Sequence, residues 1–292
     1  MSDQVKIHFL AQKSDSRPRT QMMAFLIVTG NGKTIAVDGG NKQDTEYFHG
    51  YIEALLGPKP HIDLWLLTHP HDDHTDVLYE MLRRFPNDFT VGRLIYSFPP
   101  FDFLDRYEKD CAHTVSELDE LLPVLRAKGT DIRAAQKGDL YAVDGVTFEI
   151  LRTYDTSITP NADNNASMVF RMEACGQSVL FTGDLGVEGG EQVLRTVMPE
   201  KIRADFVQMA HHGQNGVGRS FYEAAAPKAC LWATPDWLWN NDAGGGYNTH
   251  SWKTVEVRGW MEELGVRHHF VNKDGTQVIA LPYGFKDPLR GK

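Results

Sequence analysis

The 292-residue sequence predicts an α+β fold in which two mixed β-sheets pack face to face and helices cover both outer faces. Segments with the patterns of strands occur in both halves of the chain, and segments with the 3.6-residue period of helices lie between them. No linker, repeat or low-complexity tract separates the halves. With 41% hydrophobic residues, the chain can bury a sizeable core. We therefore predict one domain over residues 1–292.

The first half alternates between strands and helices. The turn Gly30-Asn31-Gly32 predicts a hairpin, and the apolar run at 62–68 is typical of a strand buried on both faces. Leucines at 118, 121, 122 and 125 give the last helix an apolar face. The predicted elements are strands at 5–11, 22–29, 33–37, 62–68 and 93–97, and helices at 44–56, 75–85 and 106–128.

The second half contains more strands. Asp144-Gly145 and Cys175-Gly176-Gln177 predict the turns of two hairpins. The predicted strands are 131–134, 140–143, 146–151, 167–173, 178–182, 205–209, 229–233, 266–271 and 277–280, and the predicted helices are 189–197, 220–225 and 252–264.

Composition and charge exclude some functions. The net charge is −9, and the lysines and arginines are scattered, so we expect no non-specific binding to long nucleic acid. No apolar stretch reaches the ~18 residues of a membrane span, and the first residues lack the pattern of a signal peptide, so we expect a cytoplasmic protein. Cys111, Cys175 and Cys230 fit neither a disulfide framework nor a paired-cysteine zinc site.

The segment from Thr68 to His74 carries the strongest chemical signal. His69, His71, Asp73 and His74 follow the predicted buried strand at 62–68 and precede a helix. Imidazole nitrogens and carboxylate oxygens suit zinc and similar divalent ions. Side chains two residues apart share a face of an extended chain, so His69 and His71 should point together. The cluster predicts a metal site.

This His-x-His-x-Asp-His motif resembles the signature of the metallo-β-lactamase superfamily. The resemblance implies the four-layer αββα sandwich, two divalent metal ions, and a later aspartate that bridges them. Thr182-Gly183-Asp184 supplies that aspartate as Asp184. Asp38 resembles a strand-end aspartate of the family and is expected to orient a ligand histidine; an ordinary turn residue is the alternative.

Two further motifs resemble one branch of the superfamily, which includes the hydrolase domain of the competence protein ComEC and the pneumococcal phosphorylcholine esterase. They are Asn164-Asn165-Ala166-Ser167, where many members have a histidine ligand, and His211-His212-Gly213. Adjacent residues of an extended strand end point in opposite directions. We therefore expect one of the two histidines, preferably His212, to bind metal and His211 to face the substrate. Asn165 is expected to support the site.

Other residues are expected at the edge of the site. His250 lies where the superfamily supplies its last histidine ligand, and it could bind metal, contact substrate or cap a helix. Trp237 and Trp239 could line a substrate pocket or pack on the core. Arg219 follows a glycine-rich turn before a helix, where an anion could bind.

The sequence therefore predicts a hydrolase that uses a metal-activated water, with Asp73, Asp184 and His250 as its catalytic residues. Zn²⁺ is the expected metal, with Mn²⁺ or iron as alternatives. We expect a small-molecule substrate or short oligonucleotide with a phosphate ester, and phosphodiesterase activity. A carboxylic ester or lactone hydrolase on the same scaffold is one alternative. A non-catalytic metal-binding or redox module is the alternative from a different class.

Overall fold

A computed structural model describes residues 4–12 and 20–285. The first half of the chain builds one β-sheet and the helices that cover it. Its elements are β1 (Val5–Phe9), β2 (Ala24–Val28), β3 (Thr34–Asp38), α1 (Thr45–Leu56), β4 (His61–Leu67), α2 (Asp72–Arg84), β5 (Thr90–Tyr96), α3 (Phe101–Tyr107), α4 (Ala112–Ala127) and β6 (Asp131–Ala134).

The second half builds the other sheet and returns one strand to the first. Its elements are β7 (Leu140–Val143), β8 (Val146–Arg152), β9 (Val169–Ala174), β10 (Gln177–Phe181), α5 (Val187–Thr196), α6 (Pro199–Ile202), β11 (Phe206–Gln208), α7 (Arg219–Ala225), β12 (Ala229–Trp232), α8 (Asp236–Trp239), α9 (Thr254–Glu263), β13 (His268–Val271) and β14 (Gln277–Leu281).

Both sheets are mixed. The strand order is β14-β1-β2-β3-β4-β5-β6 in the first sheet and β13-β12-β11-β10-β9-β8-β7 in the second. In the first sheet the pairs from β3 to β6 are parallel and the others antiparallel. In the second sheet the pairs from β10 to β13 are parallel and the others antiparallel. The predicted sandwich of two mixed sheets is confirmed.

Side chains that alternate along the strands create three apolar layers. On β2, Phe25 and Ile27 face the second sheet and belong to the central core. Ala24 and Leu26, on the opposite face, pack with residues of α1, α2 and α4. A third layer joins the outer face of the second sheet to α5, α7 and α9. The order is therefore helix, sheet, sheet, helix.

The predicted helix at 106–128 is wrong in its first part. The chain forms α3 and α4 instead, joined by a 3-10 turn at Lys109–Cys111. Pro100 precedes α3, and Glu108 leaves the helical conformation at φ −147° and ψ 63°. The Glu108 carboxylate accepts a hydrogen bond from the Ala162 amide. This tertiary contact interrupts a segment whose local sequence is compatible with a continuous helix.

The topology brings the carboxyl ends of several strands to one edge of the sandwich. Asp38 ends β3 and the histidine motif follows β4, both in the first sheet. Asp184 follows β10 and His212 follows β11, both in the second sheet. Ligand sites form where loops leave the carboxyl ends of such strands. Among the described helices, none has the length and apolar character needed to cross a bilayer.

We expect Phe25→Ala to lower the free energy of unfolding by about 3–5 kcal/mol, because it leaves a cavity between the sheets. Phe25 is fully buried, stacks on Phe9 at 4.5 Å and meets Phe181 of the opposite sheet edge-on at 5.2 Å. Urea unfolding measures the effect. Leu140→Ala is the control, since Leu140 is 74% exposed and its truncation should change stability by less than about 0.5 kcal/mol. Equal effects would contradict the assigned core.

Candidate metal centre

Side chains from both sheets form a compact group of metal-ligand atoms. Asp73, His74, Asp184 and His212 each place one such atom within 4.8 Å of the others, and all are buried. We call them the four-donor group. His212 Nε2 lies 2.8 Å from Asp73 Oδ2 and 3.2 Å from Asp184 Oδ2. His74 Nε2 lies 3.3 Å from Asp184 Oδ1.

A second group shares Asp184. His69, His71 and Asp184 also place one ligand atom each within 4.8 Å of one another, and we call them the three-donor group. His69 and Asp184 are buried, whereas the His71 side chain is 32% exposed. A carboxylate common to two adjacent groups can bridge two cations. The three-donor group has fewer protein atoms and lies nearer the solvent.

Three of the histidines are oriented by acceptors on their outer nitrogens. His74 Nδ1 lies 2.8 Å from Asp38 Oδ2, and His212 Nδ1 lies 2.7 Å from the Ala233 carbonyl. His69 Nδ1 lies 3.1 Å from Thr68 Oγ1. A proton on each Nδ1 satisfies these contacts and leaves the Nε2 lone pair directed at the groups.

The inner atoms lack the hydrogen bonds that buried polar atoms normally make. The unpartnered atoms are Nε2 of His69, His74 and His212, Nδ1 of His71, Oδ2 of Asp73, and both carboxylate oxygens of Asp184. Buried lone pairs that converge without donors fit a divalent cation. The residues present therefore could hold metal ions.

The same charges shift the ionisation of the four-donor group. Burial opposes ionisation of Asp184, but His212 and His74 hold its pKa well below the ordinary value. Burial opposes protonation of His212, but Asp184 and Asp73 raise its pKa to about 10. Carboxylates likewise raise the pKa of His74 against the effect of burial. Imidazolium protons and divalent cations are alternative partners for these carboxylates.

Asp38 lies where the sequence places it and contacts two parts of the histidine motif. Its Oδ1 accepts a hydrogen bond from the Thr68 amide, and its Oδ2 accepts one from Thr68 Oγ1, each at 2.8 Å. The same Oδ2 contacts His74. Asp38 is fully buried and has a left-handed backbone, with φ 54°. These contacts hold Thr68 and His74, at the two ends of the segment from Thr68 to His74, in fixed positions.

Sequence reasoning missed the residues that hold the Asp184 loop. Gln208 accepts a hydrogen bond from the Thr182 amide and donates one to the Gly183 carbonyl. Ser167 Oγ accepts one from the Asp184 amide. Gly183 has φ +54°, and a Cβ there would lie 2.8 Å from Ser167 Oγ. A glycine at this position allows the close approach. The Gly-Asp dipeptide was a local signal for this turn, but Gln208 carried none.

The backbone at His211 and His212 differs from the prediction. The two residues do not continue an extended strand; they lie in a 3-10 turn with left-handed φ values of 51° and 54°. His212 still points to the donors, while His211 Nε2 lies 4.0 Å from Asp184 Oδ2 and its side chain is 16% exposed. Gly213 passes so close to Trp232 that a Cβ would lie 2.5 Å from its ring. Tertiary packing imposes this strained turn.

The structure does not bring His250 to the donors. His250 belongs to none of the donor groups found among the described residues. It is exposed, and its ring lies 3.6 Å from that of Trp252. Asn241 donates a hydrogen bond to the His250 carbonyl and so holds the loop in this position. The structure therefore does not place His250 among the metal ligands, and its contact with substrate stays a prediction.

The predicted peripheral residues have different surroundings. Trp239 packs edge-on against the buried Trp232 at 5.3 Å, and Arg258 lies over its outer face, so it covers the core. Trp237 contacts Trp252 at 5.0 Å. Trp237 and Trp252 are half-buried, and His250 is exposed. Trp237 comes three residues after Thr234, which hydrogen-bonds to His212 together with Ala233.

Arg219 and Asn165 have structural partners. Arg219 forms ion pairs with Glu223 and Glu263 on the helical surface. Asn165 is buried, donates to Glu188 and accepts a hydrogen bond from the Gly189 amide. It therefore ties the Asn-Asn-x-Ser loop to α5. The anion site at Arg219 stays a prediction.

Comparison with known proteins identifies the family. The sequence matches the metallo-beta-lactamase superfamily over residues 18–229. It is 30% identical to ComE operon protein 3 of Bacillus subtilis (strain 168) over 171 residues, which are 58% of this chain and 20% of that protein. The chain thus spans about a fifth of the length of this relative. The similarity supports the branch predicted from the motifs.

Solved structures show the same fold. YhfI of Bacillus subtilis, a metallo-beta-lactamase fold protein, matches with a TM-score of 0.57 at 14% identity, over 95% of this chain and 99% of that one. CmlA of Streptomyces venezuelae, a diiron beta-hydroxylase, matches with a TM-score of 0.55 at 15% identity, over 95% of this chain and 54% of that one. The family match covers most of the chain, and its histidine motif forms the centre described above. The chain belongs to the metallo-beta-lactamase superfamily.

Proposed function

We propose that the chain is a metal-dependent hydrolase that cleaves phosphodiesters or related phosphate esters with an activated water molecule. The observation that carries this proposal is the convergence of buried, unpartnered histidine nitrogens and carboxylate oxygens at one edge of the sandwich. The proposed substrate is a small molecule or a short oligonucleotide. A cytoplasmic location, expected from the sequence, is part of the proposal.

Two divalent cations are the proposed cofactors, with Zn²⁺ as the first choice. Asp73, His74 and His212 would hold one, His69 and His71 would hold the other, and Asp184 would contact both. Cations at such a centre make a water acidic enough to act as a nucleophile near neutral pH and stabilise negative charge on substrate oxygens. The three-donor group leaves more room for substrate, because it has fewer protein donors and its His71 is partly exposed.

His211 is the proposed substrate-facing residue. It lies beside Asp184 but outside the donor groups found among the described residues. Its Nδ1 has no hydrogen-bond partner, and burial lowers the pKa of the ring. A neutral imidazole in this position can donate a hydrogen bond to a substrate oxygen through its single N–H. His211 Nε2 lies 4.0 Å from Asp184 Oδ2, and the side chain is 16% exposed.

The partly exposed aromatic rings that follow β12 in the chain suggest how a flat substrate group could bind. Trp237, Trp252 and His250 form a continuous aromatic surface, to which a base or an aromatic leaving group could stack. We propose that His250 and Trp237 act only through this surface. Neither has a part in metal binding.

The phosphate-ester form of the proposal rests on the branch that the motifs resemble, which the similarity to ComE operon protein 3 supports. A carboxylic ester or lactone hydrolase would use the same centre, and enzyme assays with the two classes of substrate distinguish it from a phosphate-ester hydrolase. A redox function would require iron, as the diiron hydroxylase CmlA illustrates for this fold. Metal analysis of the purified protein distinguishes that case.

We expect the purified protein to contain transition metal and to hydrolyse bis(p-nitrophenyl) phosphate, with little activity on p-nitrophenyl acetate or nitrocefin. Asp184→Ala should abolish the activity and lower the metal content, because Asp184 belongs to both donor groups. Elemental analysis and the three colorimetric assays measure these outcomes, and circular dichroism checks the fold. Asp72→Ala is the control, since Asp72 is a neighbouring carboxylate that pairs with His113 instead.

Several results would contradict this proposal. A protein that takes up no transition metal would remove the hydrolase interpretation. Activity on p-nitrophenyl acetate alone would replace the phosphate ester by a carboxylic ester. Iron content without hydrolysis would favour the redox function.

The adjacent histidines should separate metal binding from substrate contact. We expect His212→Ala to lower the metal content, because it removes a buried donor. His211→Ala should keep the metal content and lower kcat by about 100-fold, within the range for loss of a general acid–base group. Parallel elemental analysis and steady-state kinetics test this. Loss of metal from the His211 variant would show that His211 is a ligand.

A further inference from the structure

His71 differs from the other histidines of the centre in what supports it. Its Nδ1 is unpartnered and lies 3.8 Å from Asp73 Oδ1, on the side of the donor groups. Its Nε2 faces the opposite way and lies 3.7 Å from Asp163 Oδ2. The His71 side chain is 32% exposed, so surrounding atoms restrict its ring less than those of the buried histidines.

Asp163 is buried and held in place. It is 5% exposed and precedes the 3-10 turn Asn164–Ala166. The Cys111 thiol donates a hydrogen bond to its Oδ2, with a distance of 3.3 Å between Sγ and the oxygen. Next to it, the Ala162 amide donates to Glu108 Oε1. The turn between α3 and α4 therefore fixes the position of the Asp163 carboxylate.

The chemistry of a neutral imidazole determines what Asp163 can do. An imidazole that offers its Nδ1 lone pair to a cation carries its proton on Nε2. That proton requires an acceptor, and His69, His74 and His212 each have one at 2.7–3.1 Å from their outer nitrogen. For His71, the carboxylate on that side belongs to Asp163. At 3.7 Å, a small rotation of the partly exposed ring would form the hydrogen bond.

We propose that Asp163 is a positioning residue for His71: it accepts the Nε2 proton, orients the ring, and so sets the affinity of the three-donor group for its cation. Cys111 supports it by donating to the same carboxylate. This inference rests on the proposed function. It also gives a role to a cysteine from which the sequence predicted no chemistry.

The ionisation of Cys111 is consistent with a donor. Burial, together with the neighbouring Asp163, raises the pKa of the thiol above its ordinary value. The thiol therefore stays protonated at neutral pH and donates to the carboxylate.

The test is a metal titration of the full chain, stripped of metal, with Co²⁺ as the probe. Co²⁺ gives visible absorption that reports each bound ion, and elemental analysis gives the stoichiometry. We expect the wild type to bind two equivalents. Asp163→Asn and Asp163→Ala should bind the first equivalent normally and the second about 10–100-fold more weakly, the usual loss when a supporting residue of a metal ligand is removed.

Two further variants sharpen the test. Asp110→Asn removes an exposed negative charge close to Cys111 in the sequence, and it should leave both affinities unchanged. Cys111→Ser keeps a donor to Asp163 and should resemble the wild type, whereas Cys111→Ala should weaken the second equivalent. Asp163→Asn preserves the side-chain shape, so it serves if Asp163→Ala does not fold.

The outcomes separate this inference from the proposed function. Unchanged binding of the second equivalent by the Asp163 variants would overturn the role of Asp163. Equal weakening of both equivalents, or the same effect from Asp110→Asn, would also overturn it, because it would indicate a general electrostatic effect. A wild-type protein that binds no Co²⁺ would instead overturn the proposed function, and this inference with it.

Discussion

The structure is organised around the cost of burying charge at the edge of the sandwich. Asp73, Asp184 and His212 direct buried carboxylate oxygens and an imidazole nitrogen at one another, in a site nearly closed to water. A buried carboxylate without a partner is strongly unfavourable. A divalent cation or a set of imidazolium protons must offset this cost, so the same constraint makes the group suited to hold a metal ion.

Residues outside the four-donor group hold its side chains in place. Parallel strands of both sheets end at the same edge, which places donors that are far apart in sequence within contact. Around them lie acceptors and donors that belong to neither donor group, including Asp38, Gln208 and Ser167. Each fixes one loop or one ring. The positions of the donor atoms therefore depend on hydrogen bonds made by residues at the strand ends and in the adjoining loops.

Much of the architecture could be predicted because its determinants are local. Alternating apolar residues and hairpin turns identified the strands of both sheets. The prediction of one helix over 106–128 was wrong because the interruption at Glu108 comes from a contact with Ala162. Ala162 lies more than 50 residues away, so the local sequence carries no pattern for this contact. The short helices α6 and α8 were not predicted for a related reason. A single helical turn is too short to show a 3.6-residue period.

The sequence by itself determined the family, the sandwich and the residues of the histidine motif, because four potential ligands within six residues are a dense and local signal. Only the tertiary structure decided which distant residues join them. It brought His212 to the donors through a left-handed turn, kept His250 on an exposed loop, and paired Arg219 with glutamates. The physical reason is that ligand geometry depends on where loops pack after the sheets associate, and spacing along the chain does not encode that distance.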